Sequence, residues 1–110
     1  MCGIAGIISP QRDLVDRALP AMVAAQRHRG PDDQGRQVMA AGDLWVGLGQ
    51  RRLSIIDLSP LGHQPMVHPE TGDVLIYNGE LYNFAALRKQ LVAAGSVFRG
   101  TSDTEVLLHA

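Results

Sequence analysis

Five short segments of this 110-residue chain carry residue types that can do chemistry. The first is Met1-Cys2-Gly3-Ile4-Ala5-Gly6. Loss of the initiator methionine would leave Cys2 with a free α-amino group beside its own thiol, a nucleophile and a base on one residue. An α-amino group titrates close enough to neutrality to exchange protons with a neighbouring thiol. The plainer reading is a small buried cysteine opening an apolar strand. Arg51-Arg52 follows an apolar stretch directly. Such arginines are commonly solvated, but a planar guanidinium also grips a carboxylate bidentately. Asn78-Gly79 follows Val74-Leu75-Ile76-Tyr77, and Asn-Gly is a strong hairpin signal. The residues from Asn83 on have helical rather than strand periodicity, which favours a strand-to-helix corner. That corner can aim the Asn78 amide and the Gly79 N–H in one direction, as a developing oxyanion requires. Asp103 falls in the first turn of an expected helix, where the dipole favours an acid; it can equally receive a ligand's ammonium group. Arg27-His28-Arg29-Gly30-Pro31-Asp32 reads by composition as a helix stop.

Other chemistries find no support. His28, His63, His68 and His109 show neither close pairing nor a Cys partner at metal-ligand spacing, so no metal site is expected. Neither G-x-x-x-x-G-K-[ST] nor G-x-G-x-x-G occurs, and Ser54, Ser59 and Ser102 lack the context of a hydrolase triad. A net charge of −1 with 19% charged residues gives no electrostatic reason to expect nucleic acid or an acidic membrane as partner. Hydrophobic residues make up 45%, the composition of one globular domain. One cysteine forms no internal disulfide and fits a reducing compartment, with cytoplasm the default. Ile4 to Ile8 is too short to span a bilayer and no Lys or Arg precedes it, so it reads as neither anchor nor secretion signal.

The elements that must position these residues follow from apolar spacing. Ile4, Ile7 and Ile8 predict a buried strand stopped by Ser9-Pro10. Val15, Leu19, Met22 and Val23 predict a helix between Leu14 and His28, with Pro20 kinking it or marking its start and Gly30-Pro31 ending it. Leu44 to Gly49 reads as a strand whose glycines allow close backbone approach, and Leu53 to Leu58 as a second short apolar stretch. A loop rich in Pro, Gly and His runs from Ser59 to Pro69. A turn at Glu70-Thr71-Gly72-Asp73 precedes a strand at Val74 to Tyr77. Phe84, Leu87, Leu91 and Val92 define a helix face, capped by Asn83 and stopped by Gly95. Ser102-Asp103-Thr104-Glu105 fits a capping box opening a further helix. The sequence given ends about two turns into it, which suggests the amino-terminal part of a longer protein, poorly stable if expressed alone.

Together, MCGIAG, RHRGPD at 27–32, RLSIID at 52–57, YNGELYN at 77–83 and SDTE at 102–105 resemble the class II glutamine amidotransferase domain, in its asparagine synthetase branch. The resemblance runs along essentially the whole chain. It implies an α+β fold, the four-layer αββα sandwich of N-terminal nucleophile hydrolases, of which residues 1–110 would be the first and incomplete part. Carried over residue by residue, it makes Cys2 the nucleophile, Arg52 the clamp for the substrate carboxylate, Asn78 and Gly79 the oxyanion pair and Asp103 the partner of the substrate ammonium. It adds Glu80 and the stretch Arg52, Leu53, Ser54, Ile55 and Ile56 as substrate contacts. The implied substrate is glutamine, hydrolysed through a Cys2 thioester to glutamate and ammonia. The ammonia would serve a carboxy-terminal synthetase domain that uses ATP and Mg²⁺ to amidate aspartate; no cofactor is implied for residues 1–110 themselves. A homodimer of the longer protein is compatible with the resemblance. Two other readings stand beside this one: a related amidotransferase acting on a sugar or peptide carboxylate, and a glutaminase-like module without catalysis.

Overall fold

Alternation along the first strand decides which side of the sheet carries the core. The computed structural model describes residues 2–54 and 59–110. Strand β1 (Gly3–Ser9) pairs antiparallel with β3 (Leu44–Arg52), which pairs antiparallel on its other edge with β2 (Asp33–Ala41). The sheet order is therefore β1-β3-β2. The register sets Ala5 opposite Gly49 and Ile7 opposite Gly47. Helix α1 (Arg12–Ala25) lies on that face, with Val15, Leu19 and Val23, one turn apart, buried against it. Ala5, Leu19 and Val23 form the core, flanked by Ile7, Met22 and Val38. The glycines of β3 are what let the helix sit so close: a Cβ at Gly47 would come within 2.7 Å of Val15 Cγ1, and one at Gly49 would collide with Val23. Each fully buried aliphatic side chain here contributes about 1.5–3 kcal/mol.

Pro20 lies inside α1 and neither starts nor ends it. The missing Pro20 N–H costs one rung, which the buried stripe on both sides of it offsets. The helix stops at Ala25, with the Gln26 N–H donating to the Val23 carbonyl at 3.2 Å and the Arg27 N–H to the Ala24 carbonyl at 3.1 Å. Gly30-Pro31 is thus not the stop the composition suggested. Gly30 is buried against the backbone of Arg51 and Arg52, where no side chain fits.

A second, two-stranded antiparallel sheet joins β4 (Met66–Val67) to β5 (Val74–Leu75). The turn between them closes with His68 N–H donating to the Asp73 carbonyl at 2.8 Å and Gly72 at φ +77°. The hairpin therefore lies at 66–75, upstream of Asn78-Gly79. Helix α2 (Phe84–Ala93) follows, with Gly95 at φ +104° just beyond its end as expected. Asn83 is its N-cap, without a side-chain capping bond, and Val92 of the expected apolar face is exposed. Helix α3 (Asp103–His109) packs against α2.

Three expectations are corrected. β2 was not anticipated: Asp-Gln-Gly-Arg-Gln-Val-Met-Ala-Ala has weak strand propensity and becomes extended because β3 offers it an edge. β4 lies inside the segment expected to be a loop, and β5 ends at Leu75 rather than Tyr77. The stretch from Leu53 falls partly at residues 55–58, outside the described residues. The molecule is thus a mixed α and β fold with antiparallel sheets. On the sheet face away from α1, Ile4, Leu44 and Ile8 stay exposed, Ile8 to 66%. Among the described residues, no helix is long and apolar enough to cross a membrane.

Candidate active site

The doubled arginine shows how the strand places a functional side chain. Successive residues of β3 point to opposite faces. Arg51 stands opposite Gly3 and Gln34, on the side of α1, and its Nη1 donates to Gln34 Oε1 at 3.1 Å. Arg52 points the other way, with Gln50, into a cleft of about 80 Å³. Both arginines are buried, so the solvated alternative does not hold for either. Arg52 Nη1 donates to the Ser59 carbonyl at 3.0 Å, and its guanidinium packs on Gly62, where any Cβ would collide with it. The 3₁₀ turn Pro60–Gly62, capped by Ser59, therefore fixes the arginine's direction.

Cys2 immediately precedes β1, where alternation puts it on the same face as Arg52. It is half-buried and lines the cleft. Its Sγ receives the Leu53 N–H at 3.3 Å and donates to the Leu53 carbonyl at 3.6 Å, so the residue after Arg52 holds the thiol. Arg29 Nε donates to the Cys2 carbonyl at 3.3 Å. The segment read as a helix stop is in fact a brace: Asp32 N–H donates to the Arg52 carbonyl at 3.0 Å, and Asp32 Oδ2 accepts from Ser54 N–H at 2.9 Å.

Asp103 opens α3 and is only 6% exposed. Its Oδ2 accepts from Leu81 N–H at 2.8 Å, tying α3 to the corner after β5, and it lines the cleft. Ser102 Oγ caps the helix by accepting from Glu105 N–H at 3.2 Å. The Glu105 carboxylate accepts from Arg99 N–H at 2.6 Å and Gly100 N–H at 2.8 Å, so it anchors the approach to the helix.

Of the residues singled out in the sequence, the cleft brings together Cys2, Arg52, Leu53, Gly79, Glu80 and Asp103. Asn78 is exposed and is not among the residues lining it. Ser54 lies outside, on the side of Asp32 and His63. Ile55 and Ile56 lie outside the described residues. The cleft also contains Gln50, Gln64, Tyr77 and Thr104, which the sequence reading did not select. Gln50 could have been found by parity, two positions before Arg52 on the same strand; Gln64 has no such signal. One guanidinium, two carboxylates and a thiol in so small a space complement a compact zwitterion better than a drug-sized ligand.

A mixed α and β scaffold thus brings the cysteine that precedes its first strand together with one arginine and two carboxylates. Residues 1–110 match the family of the glutamine amidotransferase domain, and the chain belongs to it. Among its relatives, asparagine synthetase [glutamine-hydrolyzing] 3 of Bacillus subtilis is 43% identical over 100% of this chain and 18% of its own length. Asparagine synthetase [glutamine-hydrolyzing] 1 of the same organism is 40% identical over 98% of this chain and 17% of its own. Amidase chry2 of Gibberella zeae is 48% identical over 74% of the chain and 12% of its own length. The chain thus spans under a fifth of these three relatives.

Proposed function

We propose that residues 1–110 form the glutaminase part of a glutamine-hydrolysing asparagine synthetase. The observation that carries this reading is the convergence of Cys2, Arg52, Gly79, Glu80 and Asp103 on one cleft from four distant segments. Glutamine binds with its α-carboxylate on the Arg52 guanidinium and its α-ammonium on Asp103, with Glu80 beside it. This orients the side-chain carboxamide over Cys2, and such positioning lowers the barrier by removing a search for geometry. The sulfur adds to the amide carbon while the C=O π pair moves onto oxygen. The Gly79 N–H and the Asn78 side-chain amide receive that oxyanion, Asn78 turning inward from its exposed position. Collapse expels nitrogen, which leaves as ammonia after taking the thiol proton through the Cys2 α-amino group, exposed by loss of Met1. Water then adds to the γ-glutamyl thioester and releases glutamate, restoring the thiol.

The ammonia is consumed by a part of the protein beyond residue 110 that amidates aspartate; ATP and Mg²⁺ act there and not in these residues. The same reading completes the four-layer αββα sandwich, with 1–110 as the first part of the domain and the apolar face of Ile4, Ile8 and Leu44 covered by further sheet. A second reading is favoured by the identity to a relative called an amidase: the glutaminase half would be the same and the acceptor carboxylate different. Pyrophosphate release by the complete protein with aspartate, against release with other carboxylates, separates the two.

The test is glutamate release from glutamine by the complete protein and by Cys2→Ala. The variant is expected to lose turnover by about 10³-fold or more, as removal of a nucleophile does. Wild-type activity in the variant would refute the assignment. Intact mass gives a second check, since a mature protein retaining Met1 has no free α-amino group on Cys2.

A further inference from the structure

Tyr77 stands immediately before the Asn78-Gly79 corner, and its backbone lies two residues past the end of β5. Its polar groups are held by side chains. Gln64 Oε1 accepts the Tyr77 N–H at 2.7 Å, and Gln50 Nε2 donates to the Tyr77 carbonyl at 3.2 Å. Gln64 uses its other end as well: Nε2 donates to Thr104 Oγ1 at 3.3 Å. Gln50 is 2% exposed and Gln64 5%, an expensive place for primary amides unless they are bonded. Both are anchored at the backbone. Gln50 lies inside β3, and Gln64 sits between the 3₁₀ turn and β4, its carbonyl packed on Gly35 so closely that a Cβ there would collide.

This arrangement has a consequence for the corner. Strand-ladder bonds fix a backbone direction through many neighbours, whereas here two glutamine amides fix it at one residue. The same Gln64 amide reaches Thr104, next to Asp103, so it joins the end proposed to hold the oxyanion to the end proposed to hold the ammonium. We propose that Gln64, supported by Gln50, is a positioning residue for turnover, setting the direction of the Asn78-Gly79 corner relative to Cys2 and α3. The proposal rests on the glutaminase reading above. Its mark is a defect in kcat rather than KM, because Arg52 and Asp103 keep their own anchors on Ser59, Gly62 and Leu81.

The experiment compares Gln64→Leu, Gln64→Glu and Gln50→Leu in the complete protein by steady-state glutamine hydrolysis, with Cys2→Ala as reference. Loss of a whole oxyanion donor costs about 10²–10³ in rate, so misdirecting the corner in Gln64→Leu should lower kcat about 10- to 100-fold with KM within about threefold. Gln64→Glu keeps an acceptor for Tyr77 N–H and should recover to within about fivefold of wild type, and Gln50→Leu should lose about 3- to 10-fold, both fractions of that donor effect. Alkylation of Cys2 by iodoacetamide forms no oxyanion and should stay at the wild-type rate in all three. The proposal is overturned if Gln64→Leu keeps its kcat, if KM rises while kcat holds, or if Gln64→Glu is no better than Gln64→Leu. Should Gln64→Leu lose its cooperative unfolding transition, Gln50→Leu decides, and an unchanged kcat there overturns the proposal. Wild-type protein without Cys2-dependent hydrolysis would instead defeat the glutaminase reading itself.

Discussion

The two halves of the molecule are held by different physics. Under α1, the centre of the packing is apolar: Val15, Leu19 and Val23 pack on glycines of β3 beside Ala5, with Arg51 a buried polar residue at its edge. Around the cleft, the buried residues are polar: Gln50, Arg52, Gln64, Ser102, Asp103, Thr104 and Glu105. Apolar burial is non-directional and tolerates small displacements. A buried polar group is stable only if its partners are in place, so a network of them fixes directions. The difference teaches a division of labour in which the first half supplies stability and the second supplies geometry. Substitutions should therefore separate into those that move melting and those that move kinetics.

Among substitutions that probe this division, the largest effect is expected at Asp103, where the two roles meet. Asp103→Ala removes the proposed partner of the substrate ammonium and leaves Leu81 N–H without its acceptor. Breaking a buried charge pair by removing one member costs about 3–5 kcal/mol, so kcat/KM for glutamine should fall by about 10²–10⁴. Steady-state kinetics of the complete protein check this, and a loss under tenfold would mean that the ammonium is held elsewhere. Next is Leu19→Ala, fully inside the apolar half. Comparable deletions cost about 2.7–5 kcal/mol. Denaturant unfolding should show a loss of about 3 kcal/mol, while the kinetic constants measured where the variant is folded stay at wild-type values. A kinetic defect there would erase the division between the halves.

A smaller effect is expected at Arg52→Lys. The charge stays, but the planar fork that spans a carboxylate is lost. Losing one charge-assisted hydrogen bond, about 1.5–3 kcal/mol, should raise KM for glutamine about 10- to 100-fold with kcat nearly unchanged. An unchanged KM would move the carboxylate clamp to Arg51 or to another residue.

The same contrast explains what the sequence disclosed. The α1 stripe, the glycine contacts of β3, the turn before β5 and the stop at Gly95 were legible because periodicity and turn chemistry are local. β2 was not, since Asp33–Ala41 has weak strand propensity of its own and is extended only as the hairpin partner of β3, from Ala41 opposite Leu44 to Asp33 opposite Arg52. At the site, Cys2, Arg52, Gly79, Glu80 and Asp103 were legible as motifs, and the cleft gathers all of them. Their supports were not. Arg29 and Gln50 act through one long-range hydrogen bond each and Asp32 and Gln64 through two, and such bonds leave no period in a sequence. The exposed Asn78 marks the opposite case, a residue legible as a motif that does not line the cleft.

Ser102→Ala should give the smallest effect and the finest test of the comparison. Ser102 is buried and caps α3 through Glu105 N–H, and replacing such a cap costs about 1 kcal/mol. In an apolar region that loss would appear in melting alone. Here the freed first turn carries Asp103 and Thr104, each bonded toward the corner that holds Gly79. A cap worth about 1 kcal/mol should therefore register twice, as a slightly lower unfolding midpoint and as a two- to threefold higher KM for glutamine. If only the midpoint moved, α3 would be rigid without its cap, and the geometry of the cleft would rest on fewer bonds than the buried polar network suggests.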